Sequence, residues 1–157
     1  MKEVRWLIRR DMGEVLEIER QSFACPWTEE EFLLCLRQRN CIGSVYEQDN
    51  KVIGFMIYEL HKNALNILNL AVHHDHRRQL VGYALVHRLI DKLSSERRRR
   101  ITTMVRSDNI EARAFFHAMG FRQLRVHPKH YIEHGVEDDG IEMVFVLSVS
   151  KTMEAAQ

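Results

Sequence analysis

Residues that interrupt or cross-link a chain are scarce in this sequence. Its 157 residues include two prolines, seven glycines and three cysteines. With so few prolines, long helices and strands are permitted over most of the chain. The cysteines are odd in number and have no CxxC spacing, which argues against a disulfide framework and against a zinc site. Cysteines without a disulfide or zinc pattern are typical of a reducing compartment, so we expect a cytoplasmic protein.

An excess of charge and long apolar runs are also missing. The 23 lysines and arginines are balanced by 22 aspartates and glutamates, and the formal net charge is +1. So small a net charge creates no general attraction to nucleic acid or to a membrane surface. No apolar stretch approaches the ~18 residues of a membrane span, and the N-terminal residues lack the apolar segment of a signal peptide. We expect no membrane partner and no nucleic acid. The alternative is a phosphate-rich partner, such as ribosomal RNA, bound at the four consecutive arginines 97–100.

Hydrophobic periodicity predicts a single domain over residues 1–150, followed by a frayed tail at 151–157. A strand is expected at residues 4–8, and then a helix that Asp11 caps and that runs to about Phe23. Thr28 is the expected cap of a second helix, with Glu31 three residues later completing a capping box.

The middle of the chain predicts a three-stranded meander. Residues 41–47 and 51–60 form a hairpin because Gln48, Asp49 and Asn50 between them are turn formers. Residues 64–72 follow as a third strand that is apolar on both faces, which indicates a central position in a sheet.

The remaining elements complete a mixed sheet. An amphipathic helix begins near Leu80, and a short strand covers residues 101–105. Asp108 is expected to cap the next helix and Gly120 to end it. Two antiparallel strands at 121–126 and 141–147 close the chain, with Gly135 and Gly140 in the loop between them. This order predicts the α/β class (α+β in some schemes), with about seven strands in a mixed central sheet and about four helices on its faces.

The segment after Val72 has the features of a phosphate-binding turn. A strand ends there, a basic loop containing Arg77 and Arg78 follows, and a helix begins near Leu80. The N-terminus of a helix offers unpaired N–H groups and partial positive charge to an anion. Gly82 allows a ligand to approach the backbone closely. On these residues alone, a basic surface turn with a tolerated glycine is the alternative.

The order of motifs resembles the GNAT superfamily of N-acetyltransferases. Leu68-Asn69-Leu70-Ala71-Val72 followed by His76-Arg77-Arg78-Gln79-Leu80-Val81-Gly82 is similar to its acetyl-CoA motif, Arg/Gln-x-x-Gly-x-Gly/Ala. Residues 105–121, from Val-Arg-Ser-Asp-Asn to Met-Gly-Phe, resemble the family's later "N-x-x-A…Y-x-x-x-G-F" helix. Glu17-Ile18-Glu19 together with Cys25-Pro26-Trp27-Thr28 resembles one subgroup, the ribosomal-protein alanine N-acetyltransferases. The resemblance extends from about Ile8 to Leu147.

The resemblance implies an acetyl-CoA site. Backbone groups of Leu70, Ala71 and Val72 are expected to bind the pantetheine arm in the manner of an added strand. The pyrophosphate is expected on the N–H groups at the start of the helix, and Asn109 and Phe116 from the later helix are expected to line the cofactor. The phosphate-binding residues implied in this way are Arg77, Arg78, Gln79, Leu80, Val81, Gly82 and Tyr83.

Three positions depart from the family's pattern. Leu80 stands where the first glycine is expected, where its side chain either crowds the phosphates or points outward. Met104 stands where the resembling enzymes usually have a glutamate base, and Phe116 where they have a tyrosine acid. Methionine cannot accept a proton and phenylalanine cannot donate one. The mechanism is therefore changed, or activity is lost and the cofactor site is retained.

Other side chains are candidates for the missing chemistry. Tyr131 is the candidate acid and a substrate-groove residue, and His130 is a candidate base; the alternatives are a half-buried aromatic and a solvated loop histidine. Glu59 could orient a substrate amine, and Trp27 is expected to line the peptide groove unless it is a core residue. The histidines at 73, 74 and 76 are expected to form a polar rim of the cofactor entrance, with no metal.

Three hypotheses follow from these residues. The first is an N-acetyltransferase that transfers acetyl from acetyl-CoA directly to a primary amine, such as a protein N-terminus. The second is a degenerate GNAT domain that binds acyl-CoA or a protein partner without turnover. The third is a structural domain with an empty cofactor slot.

Overall fold

The computed structural model describes residues 1–133 and 135–148 and divides into two compact units. Unit 1 comprises residues 1–60 and 67–92, and unit 2 comprises residues 61–66 and those from 93 onward. Within these described residues, seven strands and four α-helices follow the predicted order, which confirms the expected fold class. The expected tail at 151–157 lies outside the described residues, and the single domain over 1–150 stays a prediction.

Unit 1 is built on a meander of strands. Its strands are β1 (Lys2–Trp6), β2 (Cys41–Gln48), β3 (Lys51–Leu60) and β4 (Ala64–Val72), which neighbour one another in that order. β1 pairs antiparallel with β2, and β2 with β3. Asp49 and Asn50 both adopt positive φ, 51° and 68°, as the tight turn of a hairpin requires. The predicted hairpin and third strand are confirmed.

Three helices belong to unit 1: α1 (Met12–Ser22), α2 (Glu29–Leu36) and α3 (Val81–Ile90). The Thr28 hydroxyl accepts a hydrogen bond from the Glu31 backbone N–H at 3.2 Å, which confirms the predicted cap of α2. Apolar side chains of α1 and α2 pack with β2 and β3 in one buried cluster that includes Val15, Ile18, Phe32 and Phe55. Burial of these apolar side chains stabilises the unit.

Asp11 precedes α1 but makes no side-chain capping bond to it. Its carboxylate accepts hydrogen bonds from the Arg5 guanidinium at 2.8 and 2.9 Å, and from the Ile8 N–H at 2.8 Å. Burial alone would raise the pKa of Asp11, but the Arg5 hydrogen bond and the Ile8 N–H hold it below its usual range. The predicted cap is wrong because the carboxylate is bonded to Arg5 and to the Ile8 N–H instead of to α1.

Unit 2 contains β5 (Arg100–Arg106), α4 (Ile110–Ala118), β6 (Arg122–Glu133) and β7 (Val136–Val146). β7 lies between β5 and β6 and is antiparallel to both. The Thr102 hydroxyl bonds to the Asn66 side chain at 2.9 Å, where the first residues of β4 belong to the same unit.

Two predictions for unit 2 need correction. Asn109 caps α4, since its side-chain oxygen accepts from the Ala112 N–H at 3.1 Å, so Asp108 is not the cap. Gly140 lies within β7 rather than in a loop. The hairpin is longer than expected because two register shifts in β6, between Gln123 and Arg125 and between His127 and Tyr131, absorb residues that read as a loop.

In the part of the chain that the structure describes, no helix is both long and apolar enough to cross a membrane.

Candidate active site

The turn after β4 has an unusual backbone. Arg78 and Leu80 adopt left-handed conformations, with φ of 63° and 65°. Side chains other than glycine occupy this region at a cost of about 1–2 kcal/mol. Leu80 thus has the backbone conformation that suits the glycine expected at its position. Its side chain is 72% exposed, so it is not packed against the protein in the manner of a core residue.

The start of α3 provides donors for an anion. The first backbone bond of the helix joins the Ala84 N–H to the Leu80 carbonyl at 2.9 Å. The N–H groups of Val81, Gly82 and Tyr83 therefore have no acceptor within the helix, and they carry its partial positive charge. Arg78 is exposed beside them. These features suit the pyrophosphate of acetyl-CoA.

Arg77 holds the turn against the rest of unit 1. Its Nε donates to the Val72 carbonyl and its guanidinium to the Ser22 hydroxyl, both at 3.2 Å. It thereby links the end of β4 to the end of α1. Its predicted role at the phosphates remains a prediction, and the contacts shown are those of an anchor.

Gly54 explains how α3 approaches the sheet. A Cβ placed on Gly54 would lie 2.7 Å from Val81 Cγ1 and 3.5 Å from the Ala71 carbonyl oxygen. Only a glycine leaves room for the first residue of α3 at this position in β3. The helix start and the end of β4, where Ala71 is buried and Leu70 and Val72 are half-buried, are therefore packed closely within unit 1.

A buried hydrogen-bonded group supports the segment between α1 and α2. Glu19 is 1% exposed, and its carboxylate accepts from the Asn69 side-chain amide and from the Trp27 backbone N–H, both at 2.8 Å. Burial raises the pKa of Glu19, while these hydrogen bonds oppose the change. This role of Glu19 was not predicted from the sequence, although a glutamate among the apolar residues of α1 was a signal for it.

Trp27 lies in the segment between α1 and α2, and its side chain packs on the core. Its ring lies 5.0 Å from that of Phe32, and it is partly buried against the core cluster of unit 1. Its expected place in a peptide groove stays a prediction, as does that of Glu59, which is half-buried near the end of β3.

The histidines after β4 meet one acidic group. Ligand atoms of His73, His74 and Asp75 lie within 4.8 Å of one another, and the His74 and Asp75 side chains are both exposed. His76 contacts Gln79 through its Nδ1, at 3.3 Å from Oε1. Exposed groups of this kind are common at surfaces, and their expected role is the polar rim beside the basic turn.

Unit 2 carries a polar face, which we define by Arg106, His127, Tyr131 and Glu142. Directly opposite residues of antiparallel strands place their side chains on the same side of the sheet. Arg106 and His127 are both opposite Gly140, and Tyr131 is opposite Asp138, two residues along β7. The Arg106 guanidinium lies 4.4 Å from the centre of the Tyr131 ring, which is a cation–π contact.

Met104 also lies on this side, opposite Glu142. A Cβ placed on Gly140 would be 2.9 Å from Met104 Sδ and 3.0 Å from the His130 ring. The absence of a side chain at Gly140 thus lets Met104 and His130 approach each other over β7. The His130 ring, itself exposed, stacks edge-on against Tyr131 at 4.7 Å. The structure therefore brings together Met104, His130 and Tyr131.

Phe116 and Asn109 both lie on or next to α4. The Phe116 ring is 5% exposed and lies 5.0 Å from Phe121 and 5.1 Å from Phe115. Asn109 uses its side-chain oxygen to cap the helix. Core packing and capping are the contacts seen, and the cofactor roles expected for these two residues stay predictions.

A left-handed basic turn at the start of a helix, next to the end of a strand, has the features expected of a pyrophosphate-binding site. Together with the order of strands and helices, it defines the class of acyl-CoA-dependent N-acyltransferases. The chain belongs to the acetyltransferase (GNAT) family, whose model matches residues 3–121.

Relatives support the same assignment. The chain is 27% identical to the [ribosomal protein bS18]-alanine N-acetyltransferase of Escherichia coli, over 95% of this chain and all of that protein. It is 31% identical to an uncharacterised N-acetyltransferase of Methanocaldococcus jannaschii, over 90% of this chain and 89% of that protein. The crystal structure of the ribosomal-protein-S18-alanine N-acetyltransferase from Escherichia coli has a TM-score of 0.84 at 26% identity, covering 95% of this chain and 96% of that one. The protein is an N-acetyltransferase, and acetyl-CoA is its acetyl donor.

Proposed function

We propose that this chain is a cytoplasmic enzyme that acetylates the α-amine of a protein N-terminus, with an N-terminal alanine as the first candidate. The observation that carries the proposal is the anchoring of the α1–α2 segment. This segment, Cys25-Pro26-Trp27-Thr28, resembles the ribosomal-protein subgroup, and Glu19 fixes its backbone at Trp27. The whole-length similarity to an enzyme named for the alanine of ribosomal protein bS18 supports the same substrate.

The reaction needs a neutral amine, a proton acceptor and an acid for the leaving thiolate. Met104 cannot accept a proton and Phe116 cannot donate one. Their positions therefore lack the base and the acid that the family's pattern leads us to expect there. Tyr131 is our candidate acid, because it combines a phenol with a half-buried position on the polar face. The Arg106 guanidinium beside its ring adds positive charge, which stabilises a developing thiolate. Attack is direct, because no cysteine stands in a motif that suggests an acyl-enzyme.

A peptide assay tests the substrate. Three forms of one lysine-free peptide are compared. The first has a free N-terminal alanine, the second has that alanine acetylated, and the third is acetylated in the same way and has one internal lysine added. Release of coenzyme A thiol and the product mass are measured together. We expect acetylation of the first peptide alone. Equal acetylation of the lysine peptide would contradict an α-amine substrate.

A pair of tyrosine variants tests the acid. Tyr131→Phe is expected to lower kcat by roughly 10²-fold, the lower end of the range for general acid catalysis. Tyr46→Phe, which removes a hydroxyl from β2 in unit 1, is the matched control and should retain kcat. A fully active Tyr131→Phe would assign the proton to another group.

A binding protein without turnover is the second candidate, and Met104 and Phe116 are the observation that favours it. Titration calorimetry with acetyl-CoA, coenzyme A and a dephospho analogue separates the candidates when combined with the peptide assay. Phosphate-dependent binding with no product on any amine would support the second candidate. No binding at millimolar ligand would contradict both.

A further inference from the structure

The polar face of unit 2 contains one preformed histidine–carboxylate pair. His127 Nε2 lies 2.8 Å from Glu142 Oε1, and Arg125 Nε lies 3.3 Å from the same oxygen. A carboxylate only accepts hydrogen bonds, so Nε2 of His127 is the donor in this pair and carries the proton. The other ring nitrogen, Nδ1, is then the unprotonated one in neutral His127.

The pair lies next to the methionine that occupies the expected base position. Glu142 on β7 is directly opposite Met104 on β5, and the two side chains share one side of the sheet. α4 covers the other side, where His117 of the helix and Met143 of β7 line the same groove. The polar face is therefore the side of unit 2 on which a proton acceptor can meet a substrate without displacing α4.

From this placement we propose that His127 is the general base of the acetyl transfer, and that Glu142 is its positioning residue. The inference rests on the proposed function. Nδ1 takes one proton from the substrate ammonium, and the amine nitrogen then forms a bond to the acetyl carbon. The carbon–sulfur bond breaks as its electron pair moves to sulfur, and Tyr131 donates a proton to the thiolate. The nitrogen then loses its excess proton, which returns through water to the Tyr131 oxygen. His127 releases the proton that it accepted to solvent.

The arrangement follows a general logic of histidine catalysis. A carboxylate bonded to one ring nitrogen fixes the tautomer, orients the ring and stabilises the imidazolium that forms when the other nitrogen accepts a proton. The His127 side chain is 37% exposed and that of Glu142 is 21% exposed. The imidazole is thus accessible, whereas the carboxylate that supports it is more sheltered.

Several charged or titratable groups surround His127. Glu142 faces it from β7, and Arg125 and His130 lie on its own strand, with the His130 ring 5.9 Å away. Arg106 on β5 is opposite the same glycine, Gly140. Glu142 favours the imidazolium, whereas Arg106, Arg125 and a protonated His130 oppose it.

The test is steady-state kinetics of the full chain with acetyl-CoA and the alanine peptide, from pH 5 to 9. His127→Gln is expected to lower kcat by about 10²-fold or more, with the peptide KM little changed. Glu142→Gln should keep more activity but shift the acid limb of kcat/KM to lower pH, because its carboxylate no longer stabilises the imidazolium. His117→Gln, on α4 and the opposite side, is the control and should match the wild type in both respects.

The outcomes separate the two proposals. An active wild type whose His127→Gln variant keeps kcat within threefold would overturn the assignment of the base and leave the proposed function intact. A wild type inactive on every peptide would overturn both. Should His127→Gln fail to fold, the Glu142→Gln profile decides, since an unshifted acid limb in that variant contradicts the pair.

Discussion

A methyl group added to Gly54 is the sharpest test of how closely the start of α3 packs against β3. The new Cβ would lie 2.7 Å from Val81 Cγ1, well inside an ordinary contact of 3.4–4 Å. The opposing atoms belong to a branched side chain at the first residue of α3, which has little freedom to move. Overpacking of this kind costs about 1–3 kcal/mol. Gly54→Ala should therefore destabilise the protein and displace the start of α3.

The expected change is measurable by thermal or urea unfolding. For a chain of this length, about 1 kcal/mol corresponds to a shift in Tm of roughly 2–4 °C, so Gly54→Ala should lower Tm by roughly 2–12 °C. Because the displaced residue begins the helix that is expected to bind the pyrophosphate, the affinity for acetyl-CoA in calorimetry should fall as well.

Two further variants isolate the contact. Gly13→Ala is the matched control, since a Cβ on Gly13 in α1 meets nothing within 4 Å. It should stabilise the protein by about 0.5–1 kcal/mol through helix propensity. The double variant Gly54→Ala/Val81→Ala should lose less than the sum of its single changes, because Val81→Ala removes the clashing methyl. A Gly54→Ala variant with unchanged Tm and unchanged acetyl-CoA affinity would refute the close packing of β3 against α3.

Three other changes have defined directions. Leu80→Gly should relieve the left-handed backbone and raise the free energy of unfolding by up to about 1 kcal/mol in urea titrations, and a loss would show that the exposed leucine side chain is needed. Asn109→Ala should cost about 1 kcal/mol as the loss of a helix cap, whereas Asp108→Ala should cost less; equal losses would contradict the observed cap. The raised pKa of Glu19 means that its folded form favours the proton, so its contribution to stability is fully present below its unfolded pKa, near 4.5, and is lost as pH rises through the folded value. Glu19→Gln should remove this part of the pH dependence in unfolding measurements made from pH 4 to 8, and an unchanged pH dependence would contradict the assignment.

Much of the fold was predictable because its signals are local. Thr28 caps α2 through a bond to a residue three positions away, and Asp49 and Asn50 form a turn between directly adjacent strands. Local signals gave a wrong prediction where two groups compete for one side chain. Asp11 has the right residue type for a cap, but Arg5 holds its carboxylate in a buried ion pair.

Site residues were predictable only where a local sequence motif supplies the binding groups from its own backbone. The basic turn could be found because the phosphate-binding role expected of it depends on backbone N–H groups next to a recognisable strand and helix. The Glu19–Asn69 and His127–Glu142 pairs were missed, since their members are 50 and 15 residues apart and meet only once helix packing and strand register are fixed. Gly140 was placed in a loop because glycine is a loop former, and the register shifts of β6 are not visible as a sequence pattern.

The irregular course of β6 also bears on aggregation. Among the described strands, β6 has β7 as its one neighbour, so its outer edge exposes backbone groups that another chain could extend. Two register shifts interrupt that edge, and within the second, between His127 and Tyr131, Pro128 has no N–H to donate and Lys129 adopts a left-handed φ of 53°. A second strand could not follow this outline without losing bonds, so β6 is a poor template for intermolecular pairing despite exposed apolar side chains such as Leu124 and Val126. Regularising β6 for the sake of stability would remove that protection.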